Sequence, residues 1–397
     1  MIYNTPWFLG FFAVFYGLLW LVPGQQLRLW FLLAASALFH THFAGPAGVL
    51  PIVVLAALTY AIGAPLSRAQ GSQRKRWLLL GLMLPVLALA YYKYRSFIAN
   101  SITAVFPSMQ GTLHPLAQSV AMPLAISFFT FEFVHYLTEI YRGAEPSRNP
   151  IKFALFCIYF PSIVSGPIKR YSAFTAQMEQ GLVHPLRNPL GAEGAAQVIL
   201  GFFKKMVIAD NAVTLIGVLE GRDHWTSASS LLLIALQSIR ILCDFSGYSD
   251  IAIGLAKLCG LQVPQNFNYP YVAENIQDFW RRWHMSLSSW IRDYIYIPLG
   301  GSRQGSLRKG INVIAAMGLC GLWHGPAWNF VLWGFYHGIG MAVHGLWVGR
   351  FPVTDPPVLS RRLFAWAVTL AFVCYGWLLF FYPLPKALAI TQGLFHL

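Results

Sequence analysis

The stretch GLWHGPAWNF, Gly321 to Phe330, sets His324 among small and aromatic residues with no formal charge nearby. A second histidine, His284, lies in QDFWRRWHMSLSSWIRDY, Gln277 to Tyr294. An imidazole titrates near neutral pH, so either ring can exchange a proton with a bound molecule. An ionisable group in hydrocarbon is costly, which makes function the default reading for His324 where it faces the interior. The structural alternative is a single interhelical hydrogen bond. On a continuous helix Gly321 and Gly325 are four apart and flank the face that carries His324 and Trp328. That spacing predicts either a groove open to a thin, extended substrate or a close helix crossing.

Around His284 the pattern is periodic and too charged to span a membrane. At about 100° per residue Trp280, Trp283, Leu287, Ile291 and Tyr294 share one stripe, with Arg281, Arg282, Met285, Ser289 and Arg292 to the other side. The expectation is one amphipathic helix along the cytoplasmic interface, with His284 inside its apolar stripe. As a plain anchor, that helix would have its histidine bonded to a backbone carbonyl. Further charges stand in apolar runs. Lys204 and Lys205 in GFFKKMVIADN suit helix-end anchoring, while Asp244 and Asp250 in CDFSGYSD are caps or the lining of a polar cavity. The chain has no GxSxG, P-loop, dinucleotide fingerprint or HExxH, and the pair His40 and His42 lacks nearby carboxylates to complete a metal site.

The elements that must hold these residues are membrane helices. Charged residues make up 11% of the 397 residues, against roughly 25% in a soluble domain. Mean hydropathy is +0.54. Apolar runs recur at Pro6 to Val22, Val49 to Leu66, Trp77 to Tyr92, Ile311 to Phe330 and Phe364 to Phe381. About ten to twelve membrane segments fit at about 20 residues each. The start, MIYNTPWFLG, lacks a basic region and a cleavage site and reads as a retained first span. Five cysteines, scattered singly without a CxxC pair, read as packing residues. No fixed-period repeat or appended soluble domain stands out, so residues 1–397 read as one membrane domain.

The net charge of +14 bears on topology rather than on nucleic acid, because the cations fall in the gaps between spans. Arg68 to Arg76, Arg142 to Lys152, Arg281 to Lys309 and Arg350 to Arg362 mark cytoplasmic loops. Three spans before the first loop put the N-terminus outside, and a last span carries the C-terminus out. Lys93 to Gln118, polar with few cations, suits an outer loop. The segment Ser162 to Leu190 interrupts an apolar run with proline and glycine, and such backbone at membrane depth must be buried in protein or line a wet cavity.

The run NFNYPYVAENIQDFWRRWHMSLSSWIRDYIYIPLGGSR, Asn266 to Arg303, followed by GLWHGPAWNFVLWGFYHG, Gly321 to Gly338, resembles the membrane-bound O-acyltransferase (MBOAT) family. It is similar to the bacterial cell-envelope branch, that of alginate O-acetyltransferase membrane components and, more distantly, teichoic-acid D-alanyl transfer proteins. The resemblance continues upstream through PLAISFFTFEFVHYLTEIYRG, FPSIVSGPIKRYSAF, GFFKKMVIADN and CDFSGYSDIAIGL and spans roughly Pro123 to His344. The flanking residues match only in hydropathy.

The resemblance implies an all-α polytopic membrane protein, a ring of tilted transmembrane and re-entrant helices around a central tunnel. It implies acyl transfer, most readily of acetyl, from a cytoplasmic thioester to a hydroxyl of an extracytoplasmic polysaccharide or cell-wall polymer. His324 takes the place of the family's essential histidine, as catalytic base, and His284 that of the second family position. With the helix entering near Ile311, thirteen residues at ~1.5 Å each put His324 about 20 Å deep. His284 then positions or polarises the donor thioester, and Trp283, Trp323 and Trp328 wall the tunnel beside Gly321, Gly325 and Asp244. Arg281, Arg282, Arg292, Arg303 and Arg308 suit donor phosphates or an acidic carrier, or are ordinary anchors.

The implied donor is acetyl-CoA or an acyl-phosphopantetheinyl carrier protein, with no bound cofactor or metal. The implied partner is an extracytoplasmic SGNH-hydrolase-like acetyltransferase, and the implied location is the bacterial inner (cytoplasmic) membrane. The PLGG segment, Pro298 to Gly301, favours the alginate-like side, although the chain is shorter than alginate members usually are. The rival reading is a transporter or flippase for an acylated or lipid-linked molecule. Two related halves with paired broken helices would mark it, and none is evident.

Overall fold

Apolar runs too long to be soluble helices become helices here, because a backbone in lipid must satisfy its hydrogen bonds within its own segment. The computed structural model describes residues 2–118, 120–222, 224–351 and 358–396. Among them every regular element is helical. The helices divide between two compact units, Met1–Ile199 with Asp250–Pro264, and Leu200–Ser249 with Gln265–Leu397.

In the first unit the chain runs through α1 (Pro6–Leu19), α2 (Gln25–Arg68), α3 (Gly71–Leu89), α4 (Arg95–Val105) and α5 (Gln110–Ala117). It continues through α6 (Ile126–Arg142), α7 (Pro150–Ile158), α8 (Tyr171–Gln180) and α9 (Leu190–Phe202). Helix α2 is two legs meeting at Gly45, whose φ of 67° only glycine adopts readily. Arg74 caps a helix end, donating to the last carbonyls of α6, those of Ile140 and Tyr141, at 3.2 and 3.0 Å. This is the favourable place for a cation on a helix. Asn149 opens α7 by accepting from the Ile151 and Lys152 amides, with Pro150 in the first turn where its missing N–H costs nothing.

The second unit holds α10 (Asp210–Glu220), α11 (Ser227–Leu258) as far as Ser249, α12 (Ile276–Arg282), α13 (Met285–Ile291), α14 (Gly305–His324), α15 (Trp328–Arg350), α16 (Leu359–Phe381) and α17 (Leu384–Gly393). Its core is aromatic: Phe279, Trp280, Trp283, Trp333 and Trp377 are buried together with Met317 and Val373.

Among the described residues four helical stretches are long and apolar enough to cross a membrane, Gln25–Arg68, Gly71–Val105, Ser227–Leu258 and Leu359–Phe381, and Pro6–Leu19 is a shorter apolar helix. The polytopic, all-helical expectation is met, with three local corrections. Lys93 to Gln118 does not begin as a gap between spans, because the helical stretch Gly71–Val105 runs on through Lys93, which lies in a π-helical turn joining α3 to α4, where its ammonium donates to Ser127 at 3.1 Å. Ile311 to Phe330 is not one span, because α14 stops at His324 and α15 starts at Trp328. Gln277 to Tyr294 is not one helix, because α12 and α13 are separated at Trp283 and His284.

The irregular segment after α7 is buried from Tyr159 through Ile163 and again from Gly166 through Lys169. An ion pair deep in the first unit holds it: Lys169 Nζ lies 2.6 Å from Glu132 Oε1 and 3.0 Å from Ser162 Oγ.

Candidate active site

The site is built from the α12–α13 break and the α14–α15 turn. Two short bonds carry the break. The Asn268 amide donates to the Arg282 carbonyl at 3.0 Å, and the Met285 amide donates to the Asn266 carbonyl at 2.9 Å. The extended chain upstream thus takes over backbone groups that a continuous helix would pair internally, and His284 is left at φ 42°, ψ 54°. The stripe survives the break. Trp280, Trp283, Leu287 and Ile291 are buried, whereas Arg281 and Arg292 are exposed and Arg282, Met285 and Ser289 are partly so.

His284 is itself buried, with its ring edge-on to Phe245 at 4.6 Å and 6.3 Å from Trp323. Neither ring nitrogen has a hydrogen-bond partner among the described residues, so the carbonyl bond of a plain anchor is not what holds it. Burial, and after it the charge of His324, keeps this ring well below the ordinary imidazole pKa.

His324 is the last residue of α14 and is only partly buried. Three rings stand edge-on around it, Trp323 at 4.9 Å, Trp333 at 5.1 Å and Phe380 at 5.3 Å. Trp323 therefore touches both histidines. Helix α14 is unbroken from Gly305 to His324, so the rise that carries His324 about 20 Å from Ile311 is present.

The glycines next to it do something other than floor an open groove. Gly325 is extended at φ −165° and lies outside the helix. A Cβ on it would overlap the Phe330 ring, and one on Gly321 would overlap the Phe330 carbonyl oxygen and lie 3.0 Å from Gly334. Gly334 and Gly338 meet Met317 and Ile314 in the same way, so α14 and α15 form an antiparallel hairpin in near backbone contact.

The other expected residues scatter. Trp283 is buried away from the turn, between Phe267, Phe279 and Trp377, and Trp328 is 60% exposed. Arg282 is paired with Asp278 and Arg292 with Asp293, each at 2.8 Å, which leaves Arg281, Arg303 and Arg308 as exposed cations less committed to a carboxylate. Asp244 is one residue from Phe245, the ring against His284, and accepts from Lys205 at 2.8 Å. Lys205 also meets Asp210 at 2.6 Å, within a π-helical turn from Phe203 to Ala209. Asp250 accepts from Gln197 at 3.2 Å. His42 stacks on Trp7 at 3.7 Å, and His40 is buried beside Phe129.

Sequence reasoning missed three features. The buried pair Glu132 and Lys169 was visible only as two unrelated charges in largely apolar segments, the second beside Arg170. Asn266, fully buried, gave no signal at all. His337 is buried against the same Trp333 ring as His324, at 4.9 Å, because the chain reverses at Gly325 to Ala327.

A family model described as MBOAT, membrane-bound O-acyltransferase family, matches residues 79–382. A probable alginate O-acetylase AlgI of Azotobacter vinelandii is 35% identical over 390 residues, 96% of this chain and 75% of that protein. A peptidoglycan O-acetyltransferase of Helicobacter pylori is 33% identical over 434 residues, 99% of this chain and 80% of that protein. A teichoic acid D-alanyltransferase of Bacillus subtilis is 30% identical over 270 residues, 65% of this chain and 68% of that protein. Similarity thus reaches well beyond Pro123 to His344, into segments where only hydropathy was expected to match.

Proposed function

The chain belongs to the membrane-bound O-acyltransferase family and is a multi-pass membrane enzyme, and from that premise we propose that it O-acetylates an extracytoplasmic polysaccharide or cell-wall polymer with His324 as general base. The relatives named for alginate and peptidoglycan O-acetylation support acetyl as the group and a polymer hydroxyl as the acceptor. Membership in an acyltransferase family sets the transporter reading aside.

The observation that carries the proposal is the pair of histidines flanking Trp323, one partly open and one sealed. His324 takes the proton of the acceptor hydroxyl as its oxygen attacks the thioester carbonyl. The C–S bond then breaks, and the thiolate leaves with the proton that His324 returns. His284, kept neutral by burial, carries one N–H with which to hold the thioester carbonyl as negative charge develops on its oxygen. Its lack of a protein partner suits that use, since a donor already bonded elsewhere could not be spent on a substrate.

The donor in this reading is acetyl-CoA or an acyl-phosphopantetheinyl carrier protein arriving from the cytoplasm through the tunnel that the family implies. Arg281, Arg303 and Arg308 are the cations suited to its phosphates. An SGNH-hydrolase-like partner outside the cytoplasmic membrane completes delivery to the polymer. The test is a proteoliposome with labelled acetyl-CoA, or labelled acyl carrier protein, on one side and the partner with polymer on the other. Thioester loss matched by label on the polymer is expected, and movement of an intact acylated molecule without bond exchange would overturn the reading.

A further inference from the structure

A histidine in left-handed backbone is strained by roughly 1–3 kcal/mol, and such strain persists only where the surroundings over-determine it. At His284 one residue does most of that. Asn266 is fully buried, with its side-chain oxygen and backbone carbonyl directed at the break and its side-chain nitrogen at one anchor. Its Oδ1 accepts from the Ser286 hydroxyl at 2.6 Å and from the Ser286 amide at 3.3 Å. Its backbone carbonyl accepts from the Met285 amide at 2.9 Å. Its Nδ2 donates to Ser249 Oγ, itself buried on α11, at 3.2 Å.

The first two amides of α13 are thereby satisfied from twenty residues away, since the residue at the N-cap position, His284, makes no side-chain cap of its own. On the other flank Arg282 is tied to Asn268. Trp283 and His284 are the residues between the two clamped ends, and the His284 ring lies against Phe245 and Trp323.

We propose that Asn266 is a positioning residue for acyl transfer, its carboxamide fixing the α12–α13 break so that His284 is held beside Trp323 and His324. This rests on the reading of His284 as the group that holds the donor thioester. Leucine at this position has nearly the size of asparagine and its side chain cannot accept a hydrogen bond, so the Ser286 amide and hydroxyl would lose their acceptor and the break would relax, with only the bond from the Met285 amide to the backbone carbonyl left. Aspartate keeps the acceptor, and Ser249 can donate to it.

The experiment is a kinetic cycle on the purified, membrane-inserted protein with the acyl donor varied. Asn266→Leu is expected to raise the apparent KM for the donor and lower kcat/KM roughly tenfold, the scale of one or two buried hydrogen bonds. His284→Ala should change the same parameters in the same direction, and Asn266→Asp should stay within about threefold of wild type. The decisive variant is Asn266→Leu with His284→Ala, which should be no slower than His284→Ala alone. Multiplying losses in the double variant, or failure of aspartate to rescue, would overturn the proposal while leaving His284 in place. Wild-type kinetics of His284→Ala would overturn the role of His284 and the proposal with it. If Asn266→Leu does not insert, Ser286→Ala removes the 2.6 Å bond and should move KM the same way by a smaller factor, and unchanged KM there would count against the proposal.

Discussion

His324 and His337 pack against one indole: the Trp333 ring centroid lies 5.1 Å from the first and 4.9 Å from the second. Trp333 also meets Phe380, the third ring around His324, at 5.2 Å. The wall behind the proposed base is therefore backed by a second histidine, sealed among Trp280, Tyr336 and Phe372 and without a hydrogen-bond partner among the described residues.

His337→Ala should accordingly not be silent. It removes a buried ring from a packed cluster, a change that costs about 2–4 kcal/mol where neighbours cannot collapse into the space. It should also loosen Trp333 and lower acyl transfer by about tenfold. Thermal unfolding in detergent, together with turnover at a temperature where the variant remains folded, checks both. A variant with wild-type melting and turnover would show that Trp333 is held without it.

The hairpin of α14 and α15 predicts opposite outcomes for two glycines. Gly321→Ala sets a methyl against the backbone of Phe330 and Gly334, which cannot move aside as a side chain can. The expected cost is about 1–3 kcal/mol, seen as a lower melting temperature with activity lost in step. Gly10→Ala, in α1 where nothing lies within 4 Å, should be neutral or slightly stabilising. Equal melting temperatures for the two variants would contradict the crossing.

How much of this was legible follows from which forces set it. The sidedness of Trp280, Trp283, Leu287 and Ile291 could be read because burial follows residue type at helical spacing. The break at His284 could not, because hydrogen bonds from Asn266 and Asn268 impose it on a sequence whose periodicity is continuous. The reversal after His324 did have a local signal, Gly325 followed by Pro326, but the apolar run on both sides read as one span. His324 stood out in the sequence as either a functional group or an interhelical bond, and only the family resemblance favoured the first, whereas the arrangement of rings around it includes Phe380 on α16, more than fifty residues further along the chain. Charges such as Glu132 and Lys169 were visible, yet nothing in a linear pattern pairs residues 37 positions apart.

That pair makes its own prediction. Glu132→Gln and Lys169→Met should each be strongly destabilising, by about 3–5 kcal/mol, because each strands a buried charge. The double replacement Glu132→Leu with Lys169→Met should recover most of the loss, since it leaves no charge to desolvate. Melting temperatures and yield of the inserted protein measure this, and a double variant as unstable as the sum of the singles would contradict it.

The depressed pKa of His284 has a sign that can be followed. The folded chain holds this ring neutral where the unfolded chain would protonate it, so folded molecules bind fewer protons between the lowered value and the ordinary ~6.5. Its contribution to stability is complete above about pH 6.5 and is lost as the pH falls. His284→Asn should flatten the acid side of the curve of melting temperature against pH. Superimposable acid limbs for variant and wild type would mean that His284 protonates in the folded state as readily as in the unfolded one.

The central claim is that His324 does the chemistry, and a single-turnover assay of His324→Ala addresses it most directly. Purified wild type and variant, matched for melting temperature, are mixed with labelled acyl donor and acceptor, and formation of the ester is followed. Loss of a general base should slow the step by roughly 10²–10⁴-fold, while removal of one interhelical hydrogen bond would leave the fold nearly as stable, at a cost of ~0.6–2 kcal/mol. The account predicts an inserted, folded variant that binds donor and makes no measurable ester on the wild-type timescale. Ester formation by His324→Ala at the wild-type rate would contradict it.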